Sequence, residues 1–307
     1  MSDIRFDNRV AVITGAGGGL GRCHALELAR RGAKIVINDL GGSVDGSGGN
    51  SAAAEAVVAE IKAMGGEAIA NGASVNDEAG MNAMVQQTLE AFGRIDILIC
   101  NAGILRDKSF SKMTHADIDL VLDVHLRGTF KPIKAAWDIM KDQGYGRIVV
   151  TTSSTGLYGN FGQANYGAGK LGVVGIMNTL KIEGAKYDIK INAVCPIAAT
   201  RMTENLMPEA VLEQLKPEYV TPGVMNLVKD DAPSGFILSA GAGAFSMAQI
   251  VETKGAYVGT GEALTAEAVA AKWDEISDRS HGQTAFQAGN QHGANIFERV
   301  SEGRGQT

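Results

Sequence analysis

The 307-residue chain has little of what marks secreted, membrane-spanning or nucleic-acid-binding proteins. Its three cysteines are widely spaced within predicted helices and strands, so we expect buried thiols and not disulfides. No apolar run approaches the roughly 18 residues of a membrane helix. The N-terminus lacks a signal-peptide core, and the C-terminus is not an S-K-L peroxisomal address. The net charge of −6 argues against nucleic acid. The sequence therefore predicts a cytoplasmic protein that binds neither membranes nor nucleic acids.

Histidine is also scarce, whereas glycine is abundant. The five histidines show no H-E-x-x-H spacing and the cysteines no C-x-x-C spacing, so no metal site is predicted. The 40 glycines lie between periodic segments and not in one low-complexity tract, which is typical of turns. A chain of this length can bury one large α/β core.

The first turn of the chain carries a dinucleotide-binding pattern. A β-branched run at residues 9–14 is followed by G-A-G-G-G-L-G and then by an apolar-periodic helix at 20–31. Glycines in such a turn let the backbone approach a pyrophosphate, which the free N–H groups and the dipole of the helix attract. We assign the pyrophosphate to Gly15, Gly19, Leu20 and Gly21. A purely structural turn is the alternative.

A second predicted strand, 34–38, ends in Asp39. A carboxylate at this point accepts hydrogen bonds from the adenosine ribose and repels a 2′-phosphate, which favours NAD over NADP as the cofactor. Arg22 is close enough in the sequence to leave NADP open. Asp39 could instead cap a helix or stabilise a turn. The glycine-rich stretch that follows, 41–50, is predicted to be a flexible surface loop.

Strand and helix patterns then alternate, which indicates a parallel sheet with right-handed crossovers. We predict an α/β, Rossmann-type, doubly wound parallel sheet of about seven strands in a single domain, residues 1–260. A helical extension, 261–307, is predicted to pack on the same domain. In it Thr265 is placed to cap a helix with Trp273 on its apolar face.

The stretch that carries the chemistry runs from Ser153 to Lys170. If residues 164–183 form a helix, Tyr166 and Lys170 lie four apart on one face. The ammonium would lower the pKa of the phenol, and Tyr166 could then exchange a proton with a substrate oxygen. Ser153, at the end of a predicted strand, could hold that oxygen by a hydrogen bond. An ordinary surface tyrosine and lysine are the alternative.

Two further segments have two interpretations each. The predicted long helix 114–141 contains Pro132, which should kink it, and His125, which is either catalytic or an ordinary core or surface histidine. The segment 198–225 is rich in methionine and proline. It is interpreted as a substrate lid or as a segment whose methionines pack in the core.

Taken together, these motifs resemble the short-chain dehydrogenase/reductase family. The matching features are T-G-x-x-x-G-x-G at 14–21, N-A-G at 101–103, Ser153, Tyr166 and Lys170. Within that family the chain is most similar to the (3R)-hydroxyacyl-CoA dehydrogenase units of peroxisomal multifunctional β-oxidation enzymes. The segments that carry this similarity are N-D-L-G-G (38–42), N-A-G-I-L-R-D (101–107), V-H-L-R-G (124–128) and Y-G-N-F-G-Q-A-N-Y (158–166).

The resemblance implies an NAD-dependent oxidoreductase that interconverts a (3R)-3-hydroxyacyl-CoA and the 3-oxoacyl-CoA. It further implies a small-molecule substrate, an acyl-CoA thioester, and a homodimer or homotetramer paired through the long helices on either side of the catalytic strand. Three alternatives stay open. They are a hydroxysteroid (17β-type) or other bulky-alcohol dehydrogenase, a 3-oxoacyl-carrier-protein reductase, and a non-catalytic nucleotide-binding subunit.

The resemblance also implies further contacts with the cofactor. These fall on Ser74, Val75, Asn101, Ala102, Gly103, Tyr166, Lys170, Pro196, Ile197 and Thr200. His125 stands where most members place an asparagine of a proton relay. Three cations after the N-A-G motif, Arg106, Lys108 and Lys112, are candidates for binding CoA phosphates, with a solvated charged loop as the alternative.

Overall fold

In the computed structural model, which describes residues 3–199, 212–280, 284–285 and 288–304, the strands form one eight-stranded sheet. The strands are β1 (Val10–Thr14), β2 (Lys34–Asn38), β3 (Ala68–Asn71), β4 (Ile97–Cys100), β5 (Gly146–Thr151), β6 (Ile189–Pro196), β7 (Ile237–Gly241) and β8 (Ala244–Ala248). Their order is β3-β2-β1-β4-β5-β6-β7-β8, and β1 to β7 pair in parallel. The predicted doubly wound parallel sheet is confirmed.

The order of the strands reverses between β1 and β4. The chain runs outward from β1 to β3 and then returns to the other side of β1. At such a switch point the connections diverge to the two faces of the sheet and leave a crevice at the carboxyl ends of the strands. Every residue of β1, β4 and β5 is buried, as expected for a parallel sheet covered on both faces.

The eighth strand was not predicted. It follows β7 after Ala242 and Gly243, whose φ angles of 49° and 77° fit a type I′ hairpin turn. β8 lies at the edge of the sheet and its first four residues are exposed. A strand without a buried face lacks the alternation of apolar and polar residues that reveals a strand in a sequence.

Helices flank the strands. The described helices are α1 (Gly19–Arg30), α2 (Ala52–Ala63), α3 (Glu78–Phe92), α4 (His115–Leu122), α5 (Gly128–Gln143), α6 (Ser154–Tyr158), α7 (Ala164–Gly184), α8 (Thr221–Val228), α9 (Ala266–Ala271), α10 (Trp273–Ser277) and α11 (Gly289–Arg304). The helix predicted at 164–183 is thus α7. The short α6 and the C-terminal α11 were not predicted.

The long helix predicted at 114–141 is interrupted. Thr114 caps α4 in a reciprocal capping box with Asp117, and α4 is joined to α5 by a π-helical turn, Asp123–Arg127. Pro132 lies inside α5, which continues to Gln143. The irregular turn therefore comes before the proline, and it contains His125. Single π turns inside helices are frequent at functional sites.

The C-terminal end of the predicted lid, 198–225, is buried in the hydrophobic core. Residues 200–211, which include Met202 and Met207, lie outside the described residues. The end of the segment enters α8, where Met225 is buried with its neighbours. For Met225 the packing interpretation is therefore the correct one.

The chain divides into two compact units, Met1–Met247 and Ala248–Thr307. In the second, Thr265 caps α9 as predicted, because its hydroxyl accepts a hydrogen bond from the backbone N–H of Ala268. The single helix expected there is two helices that meet at Lys272, and Trp273 is exposed. The predicted limits, 1–260 and 261–307, and the packing of the extension stay predictions. Within the described part of the chain no helix is long and apolar enough to cross a membrane.

A buried histidine links α1 to α8. His24 is 1% exposed, and its Nδ1 lies 2.9 Å from Oγ1 of Thr221. Burial lowers the pKa of His24 from 6.5 to about 3, so the imidazole stays neutral in the folded protein.

We expect this histidine to make the fold acid-sensitive. The folded-state pKa lies below the unfolded value, so the unfolded chain binds one more proton between about pH 6.5 and pH 3. The contribution is fully present above about pH 6.5 and is lost at about 1.4 kcal/mol per pH unit as the pH falls. Thermal unfolding of His24→Gln between pH 7 and pH 4.5 should therefore depend less on pH than that of the wild type. The exposed His115→Gln is the control, and equal slopes in all three proteins would contradict the assignment.

Candidate active site

A cleft of about 520 Å³ lies at the carboxyl ends of β1 to β6. The predicted site residues that line it are Gly15, Gly19, Leu20, Asp39, Ser74, Val75, Asn101, Ala102, Gly103, His125, Ser153, Tyr166, Lys170, Pro196 and Ile197. Thr200 lies outside the described residues. Gly21 is buried behind the turn, where an added Cβ would come within 2.5 Å of the Gly15 carbonyl oxygen. Its role is close packing of α1 against the turn and not contact with the cleft.

The glycine turn places the start of α1 against the cleft. Gly15 and Gly19 have φ angles of 64° and 53°, which residues with a Cβ rarely adopt. A Cβ at Gly15 would also lie 2.7 Å from Cα of Ala102, so the turn needs glycine for space as well. The first N–H groups of α1 have no partner within the helix and can bind an anion.

Asp39 connects the glycine turn to the loop after β2. Its carboxylate accepts hydrogen bonds from the backbone N–H groups of Gly17 and Gly41, both at 2.7 Å. Arg22 instead pairs with Glu60 through two guanidinium nitrogens, the shortest contact being 2.6 Å. Since Arg22 is engaged in that ion pair, the acidic residue dominates the charge at this corner of the cleft.

The loop at 41–50 lies at the surface as predicted and also forms a wall of the cleft. Val44 accepts a hydrogen bond from the backbone N–H of Leu105 at 3.0 Å, and Arg106 donates to the carbonyl of Asp45 at 2.7 Å. Gly42, Ser43, Val44 and Gly46 line the cavity. Glycine composition alone did not reveal that residues 104–106 hold the loop in place.

Asn101 stabilises the switch point. Its side-chain amide donates to the carbonyls of Thr14 and Gly15 at 3.1 and 3.0 Å, and its backbone N–H donates to Oγ1 of Thr14. The end of β4 is thereby tied to the end of β1. The side chain also lines the cleft at this point.

Ser153, Tyr166 and Lys170 converge where β5 ends and α7 begins. The Ser153 side chain shares a hydrogen bond with Tyr166, and Nζ of Lys170 lies 5.6 Å from the centre of the Tyr166 ring. Lys170 donates to the carbonyl of Thr151 at 2.7 Å. The predicted convergence of these three side chains is therefore observed.

The predicted lowering of the Tyr166 pKa is not observed. Burial raises the pKa of Tyr166 to about 12, and this outweighs the Ser153 hydrogen bond, which lowers it. Burial also lowers the pKa of Lys170 to about 7. Helical spacing predicted the neighbourhood of the two side chains but not their loss of water, and the loss of water sets the direction of both shifts.

His125 is buried beside Tyr166. The two rings meet edge-on, with centres 5.0 Å apart and planes at 87°. His125 Nε2 contacts both the N–H and the carbonyl oxygen of Ile104, at 3.1 and 2.8 Å, while Nδ1 is buried without a partner among the described residues. Burial holds the pKa of His125 well below its usual range, so the ring is neutral. A Cβ on Gly103 would lie 2.5 Å from Cε1 of His125, which explains the glycine there.

Two of the three cations proposed for CoA phosphates are already paired. Asp117 contacts Nζ of Lys108 at 2.7 Å and a guanidinium nitrogen of Arg106 at 3.8 Å. The interpretation of a charged loop therefore fits Arg106 and Lys108 better than phosphate binding.

The sequence analysis missed several polar residues of the cleft. Among them, Thr155, Asn160 and Gln163 line the cavity together with Tyr166. The last two lie in the Y-G-N-F-G-Q-A-N-Y segment that carried the resemblance, and Gln163 stands three residues before Tyr166. That spacing on a helix could have placed Gln163 beside the phenol.

Comparison with known proteins identifies the family to which the chain belongs. The family model described as short chain dehydrogenase matches residues 9–210. The chain belongs to the short-chain dehydrogenase family. It is therefore an oxidoreductase that acts on a small molecule, and members of this family use NAD(H) as the cofactor.

Individual relatives extend the similarity to most of the chain. Peroxisomal multifunctional enzyme type 2 of Mus musculus is 50% identical over 282 residues, which are 91% of this chain and 38% of that protein. Peroxisomal hydratase-dehydrogenase-epimerase of Saccharomyces cerevisiae is 49% identical over 90% of this chain and 31% of that protein. The solved structure of full-length peroxisomal multifunctional enzyme type 2 from Drosophila melanogaster matches with a TM-score of 0.82 and 37% identity, over 97% of this chain and 50% of that one. The chain thus spans half or less of the length of these relatives.

Proposed function

We propose that this protein oxidises (3R)-3-hydroxyacyl-CoA thioesters to 3-oxoacyl-CoA with NAD, and that it catalyses the reverse reduction. The observation that carries the proposal is the convergence of Ser153, Tyr166 and Lys170 in the same cleft as the glycine turn and Asp39. The 50% identity to the mouse multifunctional enzyme supports the substrate class.

In this proposal Ser153 and Tyr166 hold the reacting oxygen. Tyr166 takes the alcohol proton, and the Ser153 hydroxyl, which already bonds the phenol, keeps the oxygen in place. Bound NAD supplies the hydride acceptor and a positive charge on its nicotinamide ring. Lys170 can carry a proton near neutral pH, since its pKa is about 7, and its charge would then favour the phenolate.

His125 is proposed to take part in the proton relay as a neutral ring. When Nε2 donates to the Ile104 carbonyl, Nδ1 is left as an unpartnered acceptor in the cleft wall. A neutral imidazole with one free nitrogen can pass a proton without first losing one.

The cofactor contacts are proposed to run across the switch point. Asp39 would accept hydrogen bonds from the adenosine ribose, while Ser74 and Val75 would lie beside the adenine. Gly15, Gly19 and Leu20 would face the pyrophosphate. On the nicotinamide side the proposed residues are Asn101, Ala102, Gly103, Tyr166, Lys170, Pro196, Ile197 and Thr200.

A bulky secondary alcohol such as a 17β-hydroxysteroid is the second candidate substrate. The support is the apolar wall formed by Ile104, Leu105, Leu120 and Val124. Reduction of carrier-protein thioesters is disfavoured, because that activity is usually tied to NADPH and Asp39 opposes a 2′-phosphate.

The substrate class is tested by NADH formation on a panel of alcohols. The panel holds (3R)- and (3S)-hydroxyacyl-CoAs of several lengths, a 17β-hydroxysteroid and a simple secondary alcohol, each with NAD and with NADP. We expect turnover of the (3R) thioesters, faster with NAD because Asp39 repels the 2′-phosphate. Turnover of the steroid with silent thioesters would replace the substrate class, and preference for NADP would contradict the role of Asp39.

The catalytic role of Tyr166 is tested by Tyr166→Phe. Without the hydroxyl, kcat should fall about 10²- to 10⁴-fold, the range for loss of a general base, while NADH binding measured by fluorescence persists. Tyr158→Phe is the matched control, since Tyr158 lies nearby in sequence and is 73% exposed. Wild-type turnover by Tyr166→Phe would end the assignment.

We also propose that the protein is a homodimer or homotetramer paired through α5 and α7. The support is the exposed apolar side chains of these helices, Phe130 on α5 with Leu171 and Ile182 on α7. Light scattering at micromolar concentration should report at least two subunits, and Leu171→Glu should shift the protein toward monomer because it buries a charge in the interface. A monomeric wild type would contradict this proposal.

The cytoplasmic location expected from the sequence stays a prediction. The names of the mouse and yeast relatives refer to peroxisomes.

A further inference from the structure

The loop at 41–50 has hydrogen bonds of its own. The backbone N–H of Ser43 donates to the carbonyl of Ser47 at 2.8 Å, and that of Gly46 donates to the carbonyl of Ser43 at 3.0 Å. The Asp45 carboxylate accepts hydrogen bonds from both the backbone N–H and the hydroxyl of Ser47, at 3.0 and 2.8 Å. A loop with these internal bonds has a defined shape, so a few contacts at its tip are enough to hold it.

The tip of the loop rests on residues 104–106, which follow the N-A-G motif. The backbone N–H of Leu105 donates to the carbonyl of Val44 at 3.0 Å. A Cβ on Gly46 would lie 3.1 Å from Cδ1 of Ile104, so the backbone of the loop packs directly on that side chain. Both contacts join the loop to the segment after β4.

Arg106 adds a contact with a charged donor. Its Nε donates to the backbone carbonyl of Asp45 at 2.7 Å. Its guanidinium also lies 3.8 Å from the carboxylate of Asp117, which is 4% exposed and sits at the start of α4. A hydrogen bond from a charged donor is about twice as strong as one between neutral groups. We therefore expect Arg106 to contribute most to holding the tip of the loop.

The loop crosses the cleft from one end to the other. It starts after Asp39, which is proposed to bind the adenosine ribose, and the Asp39 carboxylate accepts a hydrogen bond from the N–H of Gly41. Its tip lies on residues 104–106, next to the N-A-G motif proposed for the nicotinamide side. Four residues of the loop line the cleft between these points, namely Gly42, Ser43, Val44 and Gly46. A dinucleotide lying along the cleft would therefore contact the loop.

We propose that Arg106 is a positioning residue for the cofactor, because it fastens the loop at 41–50 to residues 104–106 and the fastened loop forms a wall against which the dinucleotide binds. Without this hydrogen bond the fraction of molecules with the loop in place falls, and the apparent affinity for the dinucleotide falls in proportion. The inference rests on the proposed binding of NAD in this cleft. It gives Arg106 a role in cofactor binding and not in binding CoA phosphates.

The test compares Arg106→Met with Arg106→Gln, since both remove the positive charge. Glutamine carries its Nε2 on Cδ, where arginine carries Nε, so it can still donate to the Asp45 carbonyl, whereas methionine cannot. The Kd for NADH, measured by fluorescence, should rise about tenfold in Arg106→Met, the order of one hydrogen bond from a charged donor. In Arg106→Gln it should rise about threefold, because a neutral donor gives about half the free energy.

Lys112→Met is the matched control. Lys112 is an exposed cation of the same segment and has no ion pair among the described residues, so the Kd for NADH should not change. An equal rise in Arg106→Met and Arg106→Gln would assign the effect to charge and overturn the inference. An unchanged Kd in Arg106→Met would also overturn it.

Steady-state kinetics separate the two possible roles of Arg106. In Arg106→Met the KM for NAD should rise about tenfold, while kcat at saturating NAD and the KM for the thioester stay within about twofold of wild type. A merely structural defect would lower kcat as well. A raised KM for the acyl-CoA with an unchanged Kd for NADH would return Arg106 to binding CoA phosphates and contradict the proposal.

Hydrogen–deuterium exchange of the wild type gives a readout that needs neither a variant nor a substrate. NADH should slow exchange in peptides that cover residues 41–50, because the bound dinucleotide holds the loop in place. Exchange there should be faster in Arg106→Met than in wild type, with peptides of β5 unchanged. If no thioester is oxidised, the proposed function fails, yet the Kd for NADH and the exchange still test Arg106. Exchange at 41–50 that does not respond to NADH in the wild type overturns the inference.

Discussion

Lys170 is 4% exposed, and among the described residues its ammonium has one hydrogen-bond acceptor, the backbone carbonyl of Thr151. Burial of a cation with so few partners is costly, and the cost appears as a pKa lowered to about 7. The same loss of water raises the pKa of Tyr166 to about 12. Tyr166 is thus neutral near pH 7, whereas Lys170 is close to the midpoint of its titration there, so a charge beside the pair changes the protonation of Lys170.

This sensitivity explains the arrangement around the pair. His125 is neutral, Cys100 is a thiol whose pKa burial raises to about 12, and the cations Arg106 and Lys108 are bound by Asp117. These groups near the phenol are therefore either neutral or paired with an opposite charge.

The half of the cleft that is lined by the glycine turn depends on backbone geometry more than on charge. Positive φ angles at Gly15 and Gly19 and the contact between Gly15 and Ala102 bring the ends of β1 and β4 together. Asp39 then ties the glycine turn to the loop at 41–50, and Arg106 holds that loop through the carbonyl of Asp45. The two halves of the cleft share one wall, so a change in this loop should affect both.

The sequence by itself determined the order of the first seven strands, the glycine turn, the position of Asp39 at the end of the second strand and the grouping of Ser153, Tyr166 and Lys170, since these depend on local periodicity and spacing. It also placed His125 in a helix, but not in a π turn, because that irregularity is settled by packing against Gly103 and Tyr166. Only the tertiary structure decided the direction of the pKa shifts and the pairing of Lys108 with Asp117. Burial and charge pairing arise between segments distant in the chain, and no local pattern records them.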